Sequence, residues 1–479
     1  MTMIEKIGGF AAGCYLHEES TIRLMEAKQY QEFLSRQCRE VMQNCGRINP
    51  EDIDAYIQTG GFNALTAAVT TMTPDRVVEE IKKAALRDRS AEGLFTGQSW
   101  EAYRSVRHLP RYVVSTRTGG FSEAWIERSL LEGNPFALIE GMALTAYALG
   151  GVGKGIIYLP SAYKPLVFRR MTRALHAAQT RRYIGHNILA MPFSFDVEIR
   201  EAMGEDQFSK TNHPFVCGEC ARALFDFEEA TKFESFQNLE AWPKPFYTNN
   251  VETYMNLPLL LRKGADSFAA RGTKNAAGTK IFALTGKTRH PCLVEAPLGS
   301  TLAELLRIAD GENSSLQGEL KAFQLGGSGG GIFPARFQDT PLDFDSLANL
   351  GWKVGSGYVV LMDDKVCILD MVRYSLSQLI SESCDRCHPC GKALKNLLSI
   401  LNRLMKGLGE AGDLETLEMI ARRLQAQSRC PFGKAAAVPV FTSLAYFRSE
   451  YESHLHQRCP SNSCKDLVKD SERTFKLAA

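Results

Sequence analysis

The chain has 479 residues and 44% apolar content, enough for roughly two to four domains, each with its own core. Its 56 basic and 54 acidic residues nearly cancel, which excludes bulk charge as a means of attracting nucleic acid or an anionic membrane. No apolar run reaches the roughly 18 to 20 residues that span a bilayer, and the opening MTMIEKIGGF lacks the basic end and apolar core of a secretory signal, so a cytoplasmic protein with no direct membrane insertion is expected.

From Gln29 to Leu86 apolar residues recur at intervals of three and four, as in VVEEIKKAAL, and predict a helical first segment over residues 1–85. Between Tyr112 and about Pro245, short apolar runs such as RYVVS and KGIIYLP alternate with amphipathic stretches such as PFALIEGMALTAYAL. Such alternation predicts an α/β layer, assigned to residues 86–248. After Asn249 and Asn250, a short helix leads into GTKIFALTGKTRHPCLVEAPLGSTLAELL, which reads strand, turn, strand, helix and then a glycine-rich turn at Gly326 to Gly331. A small β-grasp domain over 249–340 fits that order. From about Leu342, the periodic stretches LSQLISESC, LKNLLSILNRLM and LETLEMIARRLQ predict a helical bundle over 341–450, followed by a tail at 451–479.

The thirteen cysteines are an odd number, and six of them gather toward the C-terminus instead of spreading as a disulfide framework would. Cys384-x2-Cys387-x2-Cys390 puts three thiols on one tight turn before a helix. Cys430, 39 residues beyond that turn, follows a length suited to one helix down and another back, and it is read as the one further cysteine in the bundle. Three ligands plus one favour a [4Fe-4S] cluster. The alternatives are a structural zinc, which more often takes paired C-x2-C knuckles, and an inert set of buried thiols. Lys392 and Lys395 lie after the turn, either offsetting cluster charge or lining a solvated helix face.

At ESCDRCHPCGKAL the chain resembles the NADH-binding flavoprotein subunit of respiratory complex I and its relatives in electron-bifurcating hydrogenases and formate dehydrogenases. The resemblance extends through NCGRINPEDIDAYI, NPFALIEGMALTAYALG, GTKIFALTGKT, LGGSGGGIFP, LDFDSLANLG and RCPFGKAAAVPV, in the family's order. It implies a helical start, a Rossmann-like α/β domain for FMN and NADH, a β-grasp domain and a helical [4Fe-4S] domain. It further implies other iron-sulfur and flavin subunits as partners.

The flavin segments depart from the family. Its loop G-R-G-G-A-G-F-P-T-G-x-K-W brings backbone N–H groups to the FMN phosphate, and here Asp88, Ser90 and Ala91 replace three of the glycines, Glu92 adds a carboxylate and Ser99 replaces the lysine. The family's C-N-A-D-E-x-E has become Ser115 to Phe121, and its C-G-E-E-T has become Cys217-Gly218-Glu219-Cys220-Ala221. Glu219, Asn249 and Asn250 are the remnant flavin contacts, and FMN and NADH binding is expected to be lost. Arg89, Arg117 and Arg222 offer a repurposed anion pocket as an alternative, against ordinary surface arginines. Cys217-x2-Cys220 offers a redox pair, against a single family cysteine with a chance neighbour.

In the tail, His454-x4-Cys459-x4-Cys464 supplies three ligands for a tetrahedral zinc, with His456 or a partner residue as the fourth; the alternative is a solvated tail. Three functions follow. The first is an electron-relay subunit without its own hydride-transfer site, in a complex of hydrogenase or formate dehydrogenase type. The second is an NAD(P)H dehydrogenase subunit that keeps FMN through substituted contacts. The third is a non-redox architectural paralogue.

Overall fold

The computed structural model describes residues 27–90, 93–105, 112–116, 125–160, 163–202, 246–288, 290–311, 318–383, 390–428, 431–464 and 466–467. Four helices open the described chain: α1 (Ala27–Arg36), α2 (Ile53–Gln58), α3 (Asn63–Thr71) and α4 (Pro74–Lys83). Asp52 and Thr73 cap α2 and α4 by accepting N–H groups of the first turn, and Pro74 starts α4 where a missing N–H costs nothing.

The α/β layer begins after α5 (Thr96–Ser105) and contains β1 (Tyr112–Thr116), α6 (Trp125–Gly133), α7 (Pro135–Ala148), β2 (Lys154–Pro160), α8 (Leu166–Thr180), β3 (Asp196–Ala202), β4 (Phe246–Asn250) and α9 (Val251–Lys263). The four strands form one parallel sheet in the order β3-β2-β1-β4, with Tyr112 beside both Lys154 and Phe246. Helix α7 is apolar on nearly every side and correspondingly buried. It crosses α9 so closely that a β-carbon on Gly141 would lie 2.1 Å from the Tyr254 carbonyl oxygen. Its one carboxylate, Glu140, accepts from the Tyr56 hydroxyl and the Phe62 and Leu65 N–H groups, fastening α2 and α3 to the layer.

A second sheet follows α10 (Ala265–Ala269) and the short ribbon β5 (Gly272–Thr273) and β6 (Ala276–Ala277). It is built from β7 (Thr279–Gly286), β8 (Cys292–Pro297), β9 (Ala322–Leu325), β10 (Gly331–Pro334) and β11 (Tyr358–Met362), in the order β10-β9-β11-β7-β8. Helix α11 (Leu302–Asp310) starts with a capping box between Thr301 and Glu304, and α12 (Phe344–Ala348) precedes β11. The sheet therefore continues beyond residue 340 into a stretch expected to be helical. YVVLM is a five-residue run buried throughout, too short for periodicity to separate strand from helix. Glu295 on β8 accepts from the N–H groups of Val41 and Met42 and from the Thr279 hydroxyl, tying the first segment to this sheet.

The C-terminal region is helical: α13 (Ile368–Glu382), α14 (Cys390–Met405), α15 (Asp413–Gln427), α16 (Pro431–Ala435) and α17 (Val438–Leu455). These helices share an apolar core that includes Leu376, Leu394, Leu401, Leu417, Leu424 and Val440. Among the described residues, no helix is long and apolar enough to cross a membrane.

Candidate functional site

Cys384, Cys387 and Cys430 lie outside the described residues, whereas Cys390 is described and buried, at the first position of α14. A helix start favours a thiolate there through the aligned backbone dipoles. The chain on either side of Cys430 converges on this thiol. A β-carbon on Gly433 of α16 would lie 3.5 Å from Cys390 Sγ and 2.6 Å from Ser428 Oγ, and Ser383 Oγ at the end of α13 is 4.0 Å from the same sulfur. The donor set of soft thiols and the buried, unpartnered Ser428 hydroxyl beside them fit an iron-sulfur cluster. The glycine-rich turn between β9 and β10 borders the same place: a β-carbon on Gly329 would lie 3.6 Å from that of Ala435.

A second constellation sits at the opposite end of α13 and α17. Cys367, His454, Cys459 and Cys464 are all buried, and their ligand atoms lie within 4.8 Å of one another. His454 Nε2 is 3.5 Å from both Cys367 Sγ and Cys464 Sγ, which are 3.7 Å apart. Bonds of roughly 2.0 to 2.3 Å in a tetrahedron give ligand separations of about 3.5 to 3.8 Å. The imidazole is oriented for this, since Nδ1 donates to the Glu450 carbonyl at 2.7 Å and leaves Nε2 toward the thiols. The Glu450 carboxylate accepts from the Ile368 N–H and pairs with Lys321, holding the backbone next to Cys367. Hydrogen bonds from Cys367 and Cys464 drive the Cys459 thiol far below its usual range. The position assigned to His456 or a partner is thus occupied by Cys367. Sequence reasoning passed over Cys367 because it stands alone, 87 residues before His454, although it lies inside the segment where Cys430 was read as the one further cysteine.

At the carboxyl edge of the parallel sheet, the altered loop is closed by its own side chain. Asp88 Oδ1 accepts from the Ser90 N–H at 2.9 Å and from the Ser90 hydroxyl, and Oδ2 accepts from the Leu94 N–H at 3.1 Å. Arg89 turns inward, fully buried, and donates to the carbonyls of Arg87, Ala277 and Thr279. It is a structural residue and offers nothing to an anion. Its own carbonyl accepts from Lys280, which is paired with buried Glu252. Asn250 caps α9 by accepting from the N–H and hydroxyl of Thr253, and the Asn249 amide donates to the Tyr247 hydroxyl. Glu92, Arg117, Cys217, Glu219, Cys220 and Arg222 lie outside the described residues.

A parallel α/β layer, a second sheet and a helical region opening on a cysteine-rich turn define the class: an iron-sulfur electron-transfer protein of NADH dehydrogenase type. Residues 370–454 match the NADH-ubiquinone oxidoreductase-F iron-sulfur binding region. The NADP-reducing hydrogenase subunit HndC of Solidesulfovibrio fructosivorans is 34% identical over 440 residues, covering 90% of this chain and 87% of the relative. The second F-type component of the NADH-quinone oxidoreductase of Rhizobium meliloti is 31% identical, covering 85% and 96% respectively. Among solved structures, an NAD+-reducing [NiFe]-hydrogenase in the H2-reduced state shares the fold with a TM-score of 0.70 at 23% identity, covering 88% of this chain and 67% of that one. The chain belongs to the 51 kDa-type family of NADH-quinone oxidoreductase components and their counterparts in hydrogenases. Cys367, Cys459 and Cys464 fall outside the matched 370–454 region, flanking it on both sides.

Proposed function

We propose that this chain is an electron-relay subunit that holds one [4Fe-4S] cluster on Cys384, Cys387, Cys390 and Cys430 and no longer binds FMN or NADH. The cluster, when bound, takes up and releases single electrons. The observation that carries the loss of flavin is the Asp88 carboxylate. It occupies the Ser90 and Leu94 N–H groups of the loop that in the family approaches the FMN phosphate, and it adds negative charge where a phosphate must come.

The four-residue Cys/His constellation is read as a structural zinc site, with Cys367 as the fourth ligand. The second sheet, with α11 across it, is read as the β-grasp unit, its five strands reaching Met362. The relatives named as components of hydrogenases and quinone oxidoreductases support partners that are other redox subunits, of hydrogenase or formate dehydrogenase type.

A second reading keeps the dehydrogenase activity, and one observation favours it. Thr96 Oγ1, Ser115 Oγ and Asn250 Nδ2 are buried without a protein partner, and Ser115 and Asn250 stand at the carboxyl ends of β1 and β4, where doubly wound sheets place ligands. Anaerobic purification of the native complex, with iron, sulfide, zinc and released flavin quantified and the partners' contributions subtracted, separates the two. About four irons and no flavin per chain supports the relay; stoichiometric FMN overturns it in favour of the dehydrogenase.

A further inference from the structure

We infer that Ser428 is a hydrogen-bond donor to the sulfur atoms of the iron-sulfur centre and holds its potential up. Ser428 ends α15, two residues before Cys430, with its backbone extended and its N–H returned to the Leu424 carbonyl. The hydroxyl is buried and has no protein partner. The buried hydroxyls of Ser375 and Ser443 in the same helical region are both paired, to Gln324 and Tyr451. Folded chains seldom bury a hydroxyl that neither donates nor accepts, and Ser428 is not capping the helix it terminates.

What it faces is the Cys390 thiol, across the one glycine of α16. The point where a Gly433 β-carbon would lie is 2.6 Å from Ser428 Oγ and 3.5 Å from Cys390 Sγ, so the absence of a side chain at 433 keeps the volume between hydroxyl and sulfur open. Thiolate and sulfide sulfurs only accept hydrogen bonds. They become more negative when the cluster takes an electron, and a donor beside them therefore stabilises the reduced form more than the oxidised one. Ser428 acts through the cluster's electronics as a positioning residue, with no bond to iron.

This inference rests on the cluster reading above, and its test separates the two. The full chain is purified anaerobically as wild type, Ser428→Ala, Ser428→Thr and Gly433→Ala. Iron is counted, and each cluster is titrated with redox mediators and followed by its EPR signal. S428A is expected to keep its iron while its reduced-to-oxidised ratio at a fixed poise falls about tenfold, the worth of one hydrogen bond to a charged acceptor, a shift of about 59 mV to lower potential for one electron. S428T, which keeps the hydroxyl, restores the wild-type midpoint. Should S428A not assemble, G433A decides: its new β-carbon displaces the hydroxyl and lowers the midpoint in the same direction. Iron-replete S428A, or failing that G433A, with an unmoved midpoint overturns the role of Ser428 and leaves the cluster standing. A wild-type chain with neither iron nor EPR signal overturns the cluster reading itself.

Discussion

Replacing Cys367 by alanine removes one corner of the Cys367, His454, Cys459 and Cys464 tetrahedron, a residue 87 positions from its nearest co-ligand in sequence. The separations of 3.5, 3.5 and 3.7 Å match those set by a bound zinc, so the site is preformed and each ligand contributes without prior rearrangement. Outer partners of zinc ligands typically account for 10- to 100-fold in affinity, and a direct thiolate accounts for more. C367A is therefore expected to lose at least about 100-fold in zinc affinity, or about 3 kcal/mol at roughly 1.4 kcal/mol per decade. Competition against a chromogenic chelator measures this, with H456A as the control that retains wild-type affinity. A thermal melt gives the linked stability: zinc at about a hundredfold excess over its dissociation constant stabilises wild type by about 2.7 kcal/mol, an increment absent from C367A. Wild-type zinc affinity in C367A, or zinc lost from H456A alone, refutes the assignment.

Two further outcomes test the frame around the sites. Gly141→Ala drives a methyl group into the Tyr254 carbonyl across the α7–α9 crossing and is expected to cost about 3 kcal/mol, read as a lower urea midpoint with unchanged slope; an unmoved midpoint means that the helices separate freely. Burial pushes Glu295 up to about 7 from its ordinary 4.5. The folded chain therefore binds that proton more tightly than the unfolded one, and the stability it confers is complete below about pH 4.5 and lost as pH rises through about 7, roughly 3 kcal/mol in all. Glu295→Gln should flatten the pH dependence of unfolding free energy across that window. A slope equal to wild type's would show that Glu295 is not the titrating group.

The helices of the C-terminal region and the alternation behind the parallel sheet were legible in the sequence because they bury stripes of apolar residues over ten or more positions. VVEEIKKAAL and LKNLLSILNRLM carry that period openly. YVVLM did not, since a strand buried on both faces has no alternation to read. The cysteine-rich turn was visible because three ligands share seven residues. Cys367 was invisible for the opposite reason: its partners are assembled by the return of α17 along α13, which no local spacing encodes. The identities of Asp88 and Arg89 were apparent, but not their directions. Only the fold turns Arg89 into the core to satisfy three carbonyls and Asp88 back onto its own loop.

Because Cys367 precedes α13 and Cys459 and Cys464 follow α17, the thiol-imidazole site is the knot of a loop that encloses every helix from α13 to α17. During synthesis that loop stays open until residue 464 has emerged, long after the turn at 384–390 and the segment around 430 are available. Maturation then has a built-in sequence: the inner helices meet first, and the knot is tied last, around whatever they already hold.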